Sequence, residues 1–294
     1  MTEFIQTLLL GLLVGGVYAL LASGLTLIFG VMKVINIAHG ALVILAAFLT
    51  YSLWTATGLD PLLAILITTP AMMAFGWLLY LATVGRIRTA PVGASVLLTF
   101  GLALVFEGLM GSIWGNTSHS VRPPYFNESF EIGEIFLPQA QVFGGALAVV
   151  VLGALYATLN YTWLGRAIRA SAVNPQGAEL VGVNVGAVAA LTFAVGVASV
   201  GAGGSIASVL YPFLPGSHYQ WIARLLGIIV LGGLGSLPGA ALGALLLGVA
   251  ETLTVTYISP AWATAVPYVV IIIVLLVRPQ GLMGQKLRED VAAA

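Results

Sequence analysis

Three charged residues and one polar cluster stand where the chain is otherwise hydrocarbon. Glu107, Arg224 and Glu251 fall inside long apolar runs, and "KVINIAHG", Lys33 to Gly40, gathers a lysine, an asparagine, a histidine and a glycine. Polar groups in hydrocarbon are costly unless something satisfies them. Non-helical backbone is tolerated at membrane depth where it lines a cavity or is buried in protein. Asn36, His39 and Gly40 are placed to form such a break. Gly40 frees the backbone, and the helix after it offers unpaired N–H groups and a positive dipole end. That end suits a carboxylate or a side-chain acceptor. Two readings follow: Asn36, His39 and Gly40, with Glu107, line a substrate path, or Asn36 and His39 satisfy backbone groups of neighbouring helices. Lys33 is expected to snorkel to the interface. By the helical rise, Arg224 and Glu251 lie about 8 Å and 7 Å from the outer ends of their segments. They are expected to pair, since intramembrane charges usually pair or face water.

Other chemistry is excluded. There is no cysteine, so no disulfide, thiolate metal site or cysteine nucleophile. The only lysines are Lys33 and Lys286, and no G-x-x-x-x-G-K-[ST] phosphate loop exists. His39, His119 and His218 lack metal-ligand spacing, so no metal is expected. No nucleophile–base pair stands out, so no catalytic residue is assigned and no cofactor is expected. "GGLG" has no strand before it and is no dinucleotide fingerprint. Net charge is zero, which gives no basis for nucleic-acid binding.

The elements that must position these groups follow from composition. The 294 residues are 60% hydrophobic and 7% charged, against about 25% charged in soluble domains. The fold class is all-α, a polytopic transmembrane bundle of about eight to ten crossings with broken or re-entrant segments. Apolar segments run over Phe4–Phe29, Gly40–Ala56, Pro61–Val84, Val92–Gly115, Gln141–Tyr161, Val185–Leu210, Tyr219–Gly233, Pro238–Thr256 and Trp262–Val277. Arg86, Arg88, Arg166, Arg169, Arg278, Lys286 and Arg288 mark cytoplasmic loops by the positive-inside rule. Residues 116–139, with Glu128, Glu131 and Glu134 against Arg122, are then external. The N-terminus is outside if the first 56 residues cross twice and inside if they cross three times. Gly232, Gly235, Pro238 and Gly239 mark a helix break, either a tight turn or an interruption within the membrane, and span parity favours a cytoplasmic turn. The small-residue run Val195–Ser208 suits close helix packing or a substrate groove. "NIAHGALVIL" and "SLPGAALGALL" hint at an internal repeat. In "NPQGAEL", Asn174 caps a short helix with Pro175 in its first turn and Gly182 as its stop. This segment is a positive-inside loop or a docking helix.

Four motifs, in order, carry a resemblance: "GLTLIFGVMKVINIAHGALVILAAFLTY", "GRAIRASAVNPQGAELVGVNV", "IVLGGLGSLPGAALGALLLGVAE" and "LLVRPQGLMG". Over nearly the whole chain the sequence resembles the branched-chain amino-acid ABC transporter permeases of LivH type. The resemblance implies one permease domain over residues 1–294 in the bacterial inner (plasma) membrane. It makes residues 162–184 a cytoplasmic coupling segment, with Gly165, Arg166, Arg169, Asn174, Glu179 and Gly182 facing an ATPase. It implies as partners a second homologous permease subunit, two cytoplasmic ATP-binding subunits, an external solute-binding protein and membrane lipid. The chain itself is then no enzyme. Relatives also carry urea, short amides and other amino acids, so substrates of that kind are the alternative. An ion-coupled secondary transporter or an intramembrane enzyme is the more distant rival.

Overall fold

A computed structural model describes residues 1–87, 91–278 and 280–284. Twelve helices are described: α1 (Thr2–Met32), α2 (His39–Thr57), α3 (Pro61–Ala82), α4 (Val92–Trp114), α5 (Gln139–Tyr161), α6 (Trp163–Val173), α7 (Pro175–Leu180), α8 (Val185–Leu210), α9 (His218–Gly232), α10 (Leu237–Tyr257), α11 (Pro260–Ala263) and α12 (Val266–Val277). A small hairpin, β1 (Ser129–Ile132) and β2 (Ile135–Pro138), interrupts the loop between α4 and α5. Gly133, at φ 64°, supplies the positive φ its two-residue turn needs.

Seven helices, α1, α2, α3, α4, α5, α8 and α10, are long and apolar enough to cross a membrane. α9 has 15 residues and α12 has 12, short of the roughly 20 a span needs. Each follows non-helical or short helical chain, residues 211–217 and α11, that completes the path. Helix starts follow local chemistry. Asp60, Thr162, Asn174, Asn184 and Ser236 each accept a hydrogen bond from a backbone N–H in the first turn.

The bundle has a basic and an acidic end. Lys33, Arg86, Arg166, Arg169 and Arg278 gather at one, while Glu3, Asp60, Glu128, Glu131 and Glu134 gather at the other. Thr2 donates to Glu134 and Tyr125 donates to Asp60, tying the chain start and the α4–α5 loop to the acidic end. Burial and the Asp60 carboxylate push the Tyr125 phenol well above its ordinary range, so the phenol stays a donor. Because α1 is one unbroken helix, residues 2–57 cross twice, and the N-terminus lies at the acidic end. Arg88, Lys286 and Arg288, counted above among the basic markers, lie outside the described residues.

The two halves are built alike and run in opposite senses. α1 lies antiparallel along α10, Gly11 against Val249 and Gly15 against Leu245. α3 lies antiparallel along α8 in the same way, Gly76 against Val197 and Gly201 against Thr68 and Met72. In each half a long helix is followed by extended chain, a helix starting inside the bundle, an antiparallel third helix, and a last helix parallel to the second. The repeat therefore pairs residues 33–38 with 211–217, and α2 with α9. The "SLPGAALGALL" helix, α10, instead corresponds to α3. Its glycine-rich start follows a tight turn between packed helices, where Gly233 (φ 101°) and Gly235 (φ 81°) reverse the chain. Gly232 ends α9 against Gly239, with Pro238 in the first turn of α10.

The run Val195–Ser208 is packing. α8 is the central helix, and a Cβ at Gly204 would stand 2.8 Å from Val43 O. Close backbone approach replaces the hydrophobic drive that lipid cannot supply.

Candidate functional site

Chain re-enters the bundle from both ends and meets inside. After Lys33, at φ 54°, residues 33–38 run back from the basic end. His39 Nε2 reaches Leu21 O at 3.1 Å. Leu21 lies eleven residues from the end of α1, so α2 starts roughly 17 Å inside the bundle. The extended stretch is held by a residue with no sequence signal of its own. Thr99 Oγ1 on α4 accepts from Ile37 N–H at 3.0 Å and lies 3.1 Å from Ile35 O.

From the other end, residues 211–217 descend to α9. His119 and Phe213 exchange backbone hydrogen bonds at 2.8 and 2.9 Å, anchoring that descent to the α4–α5 loop. His218 opens α9 directly against α2. A Cβ at Gly40 would stand 2.5 Å from His218 O and 2.9 Å from Ile222 N. The two helices start side by side and diverge, α2 toward the acidic end and α9 toward the basic end.

Of the candidate path residues, Asn36, His39 and Gly40 are thus buried at or beside this contact. Asn36 is 1% exposed and His39 0%. Both amide atoms of Asn36, Nδ1 of His39 and Nδ1 of His218 are buried with no hydrogen-bond partner. Glu107 sits at the edge of this junction. His218 Nε2 lies 3.0 Å from Glu107 Oε2, and Tyr219 Oη donates to the same oxygen at 3.2 Å. Residues 107 and 218 are far apart in sequence, so spacing gave no hint of the pair. The Glu107 side chain retains 31% exposure.

A second polar cluster lies along α9. Arg224 Nε donates to Glu251 Oε1 at 2.8 Å, and Tyr18 Oη donates to Glu251 Oε2 at 2.6 Å. The guanidinium lies 5.1 Å from the Tyr18 ring centroid and 5.2 Å from that of Trp221. Because α9 starts inside the bundle, Arg224 is deeper than a count along a full-length span implies. Tyr18, Tyr211 and Trp221, which complete the cage, are aromatic residues among many in the sequence, and only packing singles them out.

The segment 162–184 folds as two helices at the basic end. α6 is amphipathic. Its Ala167 and Ile168 pack with Leu27, Leu155, Leu159 and Val188. Arg169 donates to Leu159 O, fixing α6 to the end of α5. Asn174 Oδ1 accepts from Gly177 N at 2.9 Å to start α7, and Gly182 follows at φ 85°. Arg166, Glu179 and Gly182 are exposed, while Gly165 is buried under Leu159. The tip presents Val173, Leu180 and Val181 to solvent, Leu180 at 89% exposure. Apolar side chains so exposed beyond a membrane bundle suit a protein partner.

The sequence profile described as "Branched-chain amino acid transport system / permease component" matches residues 7–275. Among curated relatives, the high-affinity branched-chain amino acid transport system permease protein LivH of Salmonella typhimurium is 28% identical, with 98% of each chain covered. The protein named BraD of Pseudomonas aeruginosa, with the same description, is 30% identical over 98% of each chain. A probable LivH of Methanocaldococcus jannaschii is 25% identical over 90% of this chain and 88% of its own. No solved structure matches. With a match running through both halves of a multi-pass helical bundle, the chain belongs to the family of branched-chain amino acid transport system permease components.

Proposed function

We propose that this chain is the membrane permease subunit of a binding-protein-dependent ABC importer for branched-chain or similar hydrophobic amino acids in the bacterial inner membrane. The observation that carries the reading is the family match over both halves of the bundle. By the positive-inside rule the basic end is cytoplasmic, and residues 116–139 and the N-terminus are external. ATP is hydrolysed by two separate cytoplasmic subunits. They bear on α6 and α7 through the apolar tip and through Arg166, Glu179 and Gly182. A second permease subunit and an external solute-binding protein complete the transporter.

The geometry supports alternating access. α6 is fixed to α5 and packed with α1 and α8, so displacement at the tip passes to the helices bounding the junction. The closed α2–α9 contact leaves Asn36, His39 and His218 with unpaired polar atoms. Buried unpaired groups are costly. Parting α2 from α9 opens this junction to the solute. Asn36, His39, Gly40 and Glu107 then line the path, while Arg224 and Glu251 keep the bundle rigid beside it.

Reconstitution with the ATPases, second permease and binding protein tests this. ATP-dependent uptake of leucine, isoleucine or valine is expected, and Glu179→Lys should abolish uptake without preventing insertion. Gradient-driven uptake by the purified single chain would overturn the importer reading. Uptake of urea or a short amide but no amino acid would keep the importer and replace its solute.

A further inference from the structure

The motif "LLVRPQGLMG", which ends α12, turns back onto α9 at the basic end. Gly281 N donates to Arg278 O at 2.8 Å and closes a turn. The chain beyond it lies across the end of α9: Leu282 N donates to Leu231 O at 2.8 Å, and Met283 N donates to Gly232 O at 3.0 Å. The last carbonyls of a helix have no partner within it. Gly232 is buried, so a carbonyl left bare there is costly. In α9 two of these carbonyls are satisfied by chain from beyond α12.

The fit is backbone against backbone. Gly281 has φ 72°, and a Cβ there would stand 2.5 Å from both Gly233 N and Val230 O. Only glycine meets both demands. Gly233 in turn lies against Gly284. On the other side of the same α9–α10 turn, a Cβ at Gly235 would stand 3.2 Å from Gly30 Cα. Gly30 lies just before Lys33, where the first re-entrant stretch begins. The turn is thus held between the end of α1 and residues 280–284. α12 is itself held through α9. Of its residues only Pro267 is buried, and a Cβ at Gly227 of α9 would stand 3.3 Å from Pro267 O and 3.4 Å from Ile271. The two helices run parallel, touch midway along α9 and are joined again at its end. The opposite end of α9 stands against α2, with His218 and Ile222 at Gly40. With 15 residues in α9, that junction and residues 280–284 are about 20 Å apart.

We propose that residues 280–284 are the fixed mount of α9, and that α9 parts from α2 by swinging about this mount. Sliding α9 along its own axis would break both N–H···O bonds and drive Val230 O against Gly281. Tilting it about its basic end leaves both bonds in place. α9, α12 and the α9–α10 turn then move as one body, and the far end of α9 opens or closes the junction at Gly40. Gly281, Leu282 and Met283 are positioning residues, about 20 Å from the junction they serve. The proposal rests on the importer reading for its uptake assay alone; hydrogen exchange reads the mount separately.

Two replacements at one position separate the backbone from the side chain. Met283→Pro removes the N–H that Gly232 O receives, whereas Met283→Ala removes only an exposed side chain. Gly281→Val drives a side chain into Val230 O and Gly233 N. Each would be made in the complete transporter, reconstituted with its ATPases, second permease and binding protein, and uptake would be divided by the amount of assembled complex. Met283→Pro and Gly281→Val should lower maximal uptake per assembled complex about three- to tenfold, the effect of one lost hydrogen bond on an equilibrium. The half-saturating solute concentration should stay within about twofold, since no solute contact is removed. Hydrogen exchange at Leu231, Gly232 and Gly233 should quicken. Met283→Ala should match the parent in all three. A cap that only stabilises the fold would reduce the amount of complex and leave uptake per complex unchanged, and that result would overturn the proposal. Equal effects of Met283→Ala and Met283→Pro would overturn it as well. Should Gly281→Val not assemble, the Met283 pair decides. If the parent shows no ATP-dependent uptake, the importer reading fails by itself, and unchanged exchange in Met283→Pro would then sink the mount.

Discussion

The two halves of the bundle share a plan and differ in chemistry. In the first half the re-entrant chain is "KVINIA", held by a neutral hydroxyl, Thr99, and the helix after it, α2, carries no charge. In the second half the re-entrant chain is "YPFLPGS". Its short helix α9 begins with His218, Tyr219 and Gln220, carries Arg224, and engages Glu107 from the other half. The first copy of the repeat carries its intramembrane charge on its last helix, as Glu107, and the second carries it on α9 and α10, as Arg224 and Glu251. The common plan satisfies the backbone at membrane depth. The difference places a charged side chain within the second of the two helices that start inside the bundle, α9, and none within the first, α2.

The strongest way to break this comparison is to remove the charge from the second half. Glu251→Ala or Arg224→Ala strands its partner in a largely buried cage, and each should lower stability by about 3–5 kcal/mol. Less assembled complex should be recovered, and the double replacement should restore part of it. An additive double-mutant cycle by thermal melting in detergent would show that the pair carries no coupling. Next is the contact between the halves. Gly40→Val drives a side chain into His218 O and Ile222 N, at a cost of about 1–3 kcal/mol and with loss of uptake. Gly153→Ala on α5, where a Cβ meets nothing within 4 Å, should melt within about 0.5 kcal/mol of the parent.

The first half should respond more mildly to loss of its hydroxyl. Thr99→Val leaves Ile37 N–H without its acceptor and should cost about 1–3 kcal/mol, less than either charge deletion. Hydrogen exchange at Ile37 should rise while the α9 amides stay protected. Among the polar replacements, the smallest stability effect is expected for Glu107→Gln. It keeps the shape and one acceptor for Tyr219, so melting should move by less than about 1 kcal/mol, while uptake falls. Unchanged uptake in Glu107→Gln would remove this carboxylate from the path.

Much of the bundle was legible because membrane insertion is a local, compositional property. Seven long apolar runs needed only a count of residues against bilayer thickness. Caps were equally local. Asn174 with Pro175, and Gly182 beyond them, specify α7 within nine residues, and the glycines at 233 and 235 specify the turn before α10. The polar break at Asn36–Gly40 also stood out, since polar residues in hydrocarbon need a reason.

Tertiary structure decided the rest. The run from Tyr219 reads as a short apolar segment, and α9 starts beneath the acidic end, because Pro212 and Pro215 keep residues 211–217 out of an α-helix, with one 3-10 turn over Pro215–Ser217, and the His119–Phe213 bridge holds them in place. The repeat was misaligned when glycine content alone was matched, because glycine serves a tight turn at 233–235 and a helix contact at Gly40 with the same local signature. Glu107 found His218 across 111 positions, and Glu251 found Tyr18 across 233. No periodicity encodes such meetings. Apolar pattern fixes which residues enter the membrane, because transfer from water is paid residue by residue. Which polar groups meet inside depends on how close the helix backbones come, and that is set jointly by small residues on several helices at once.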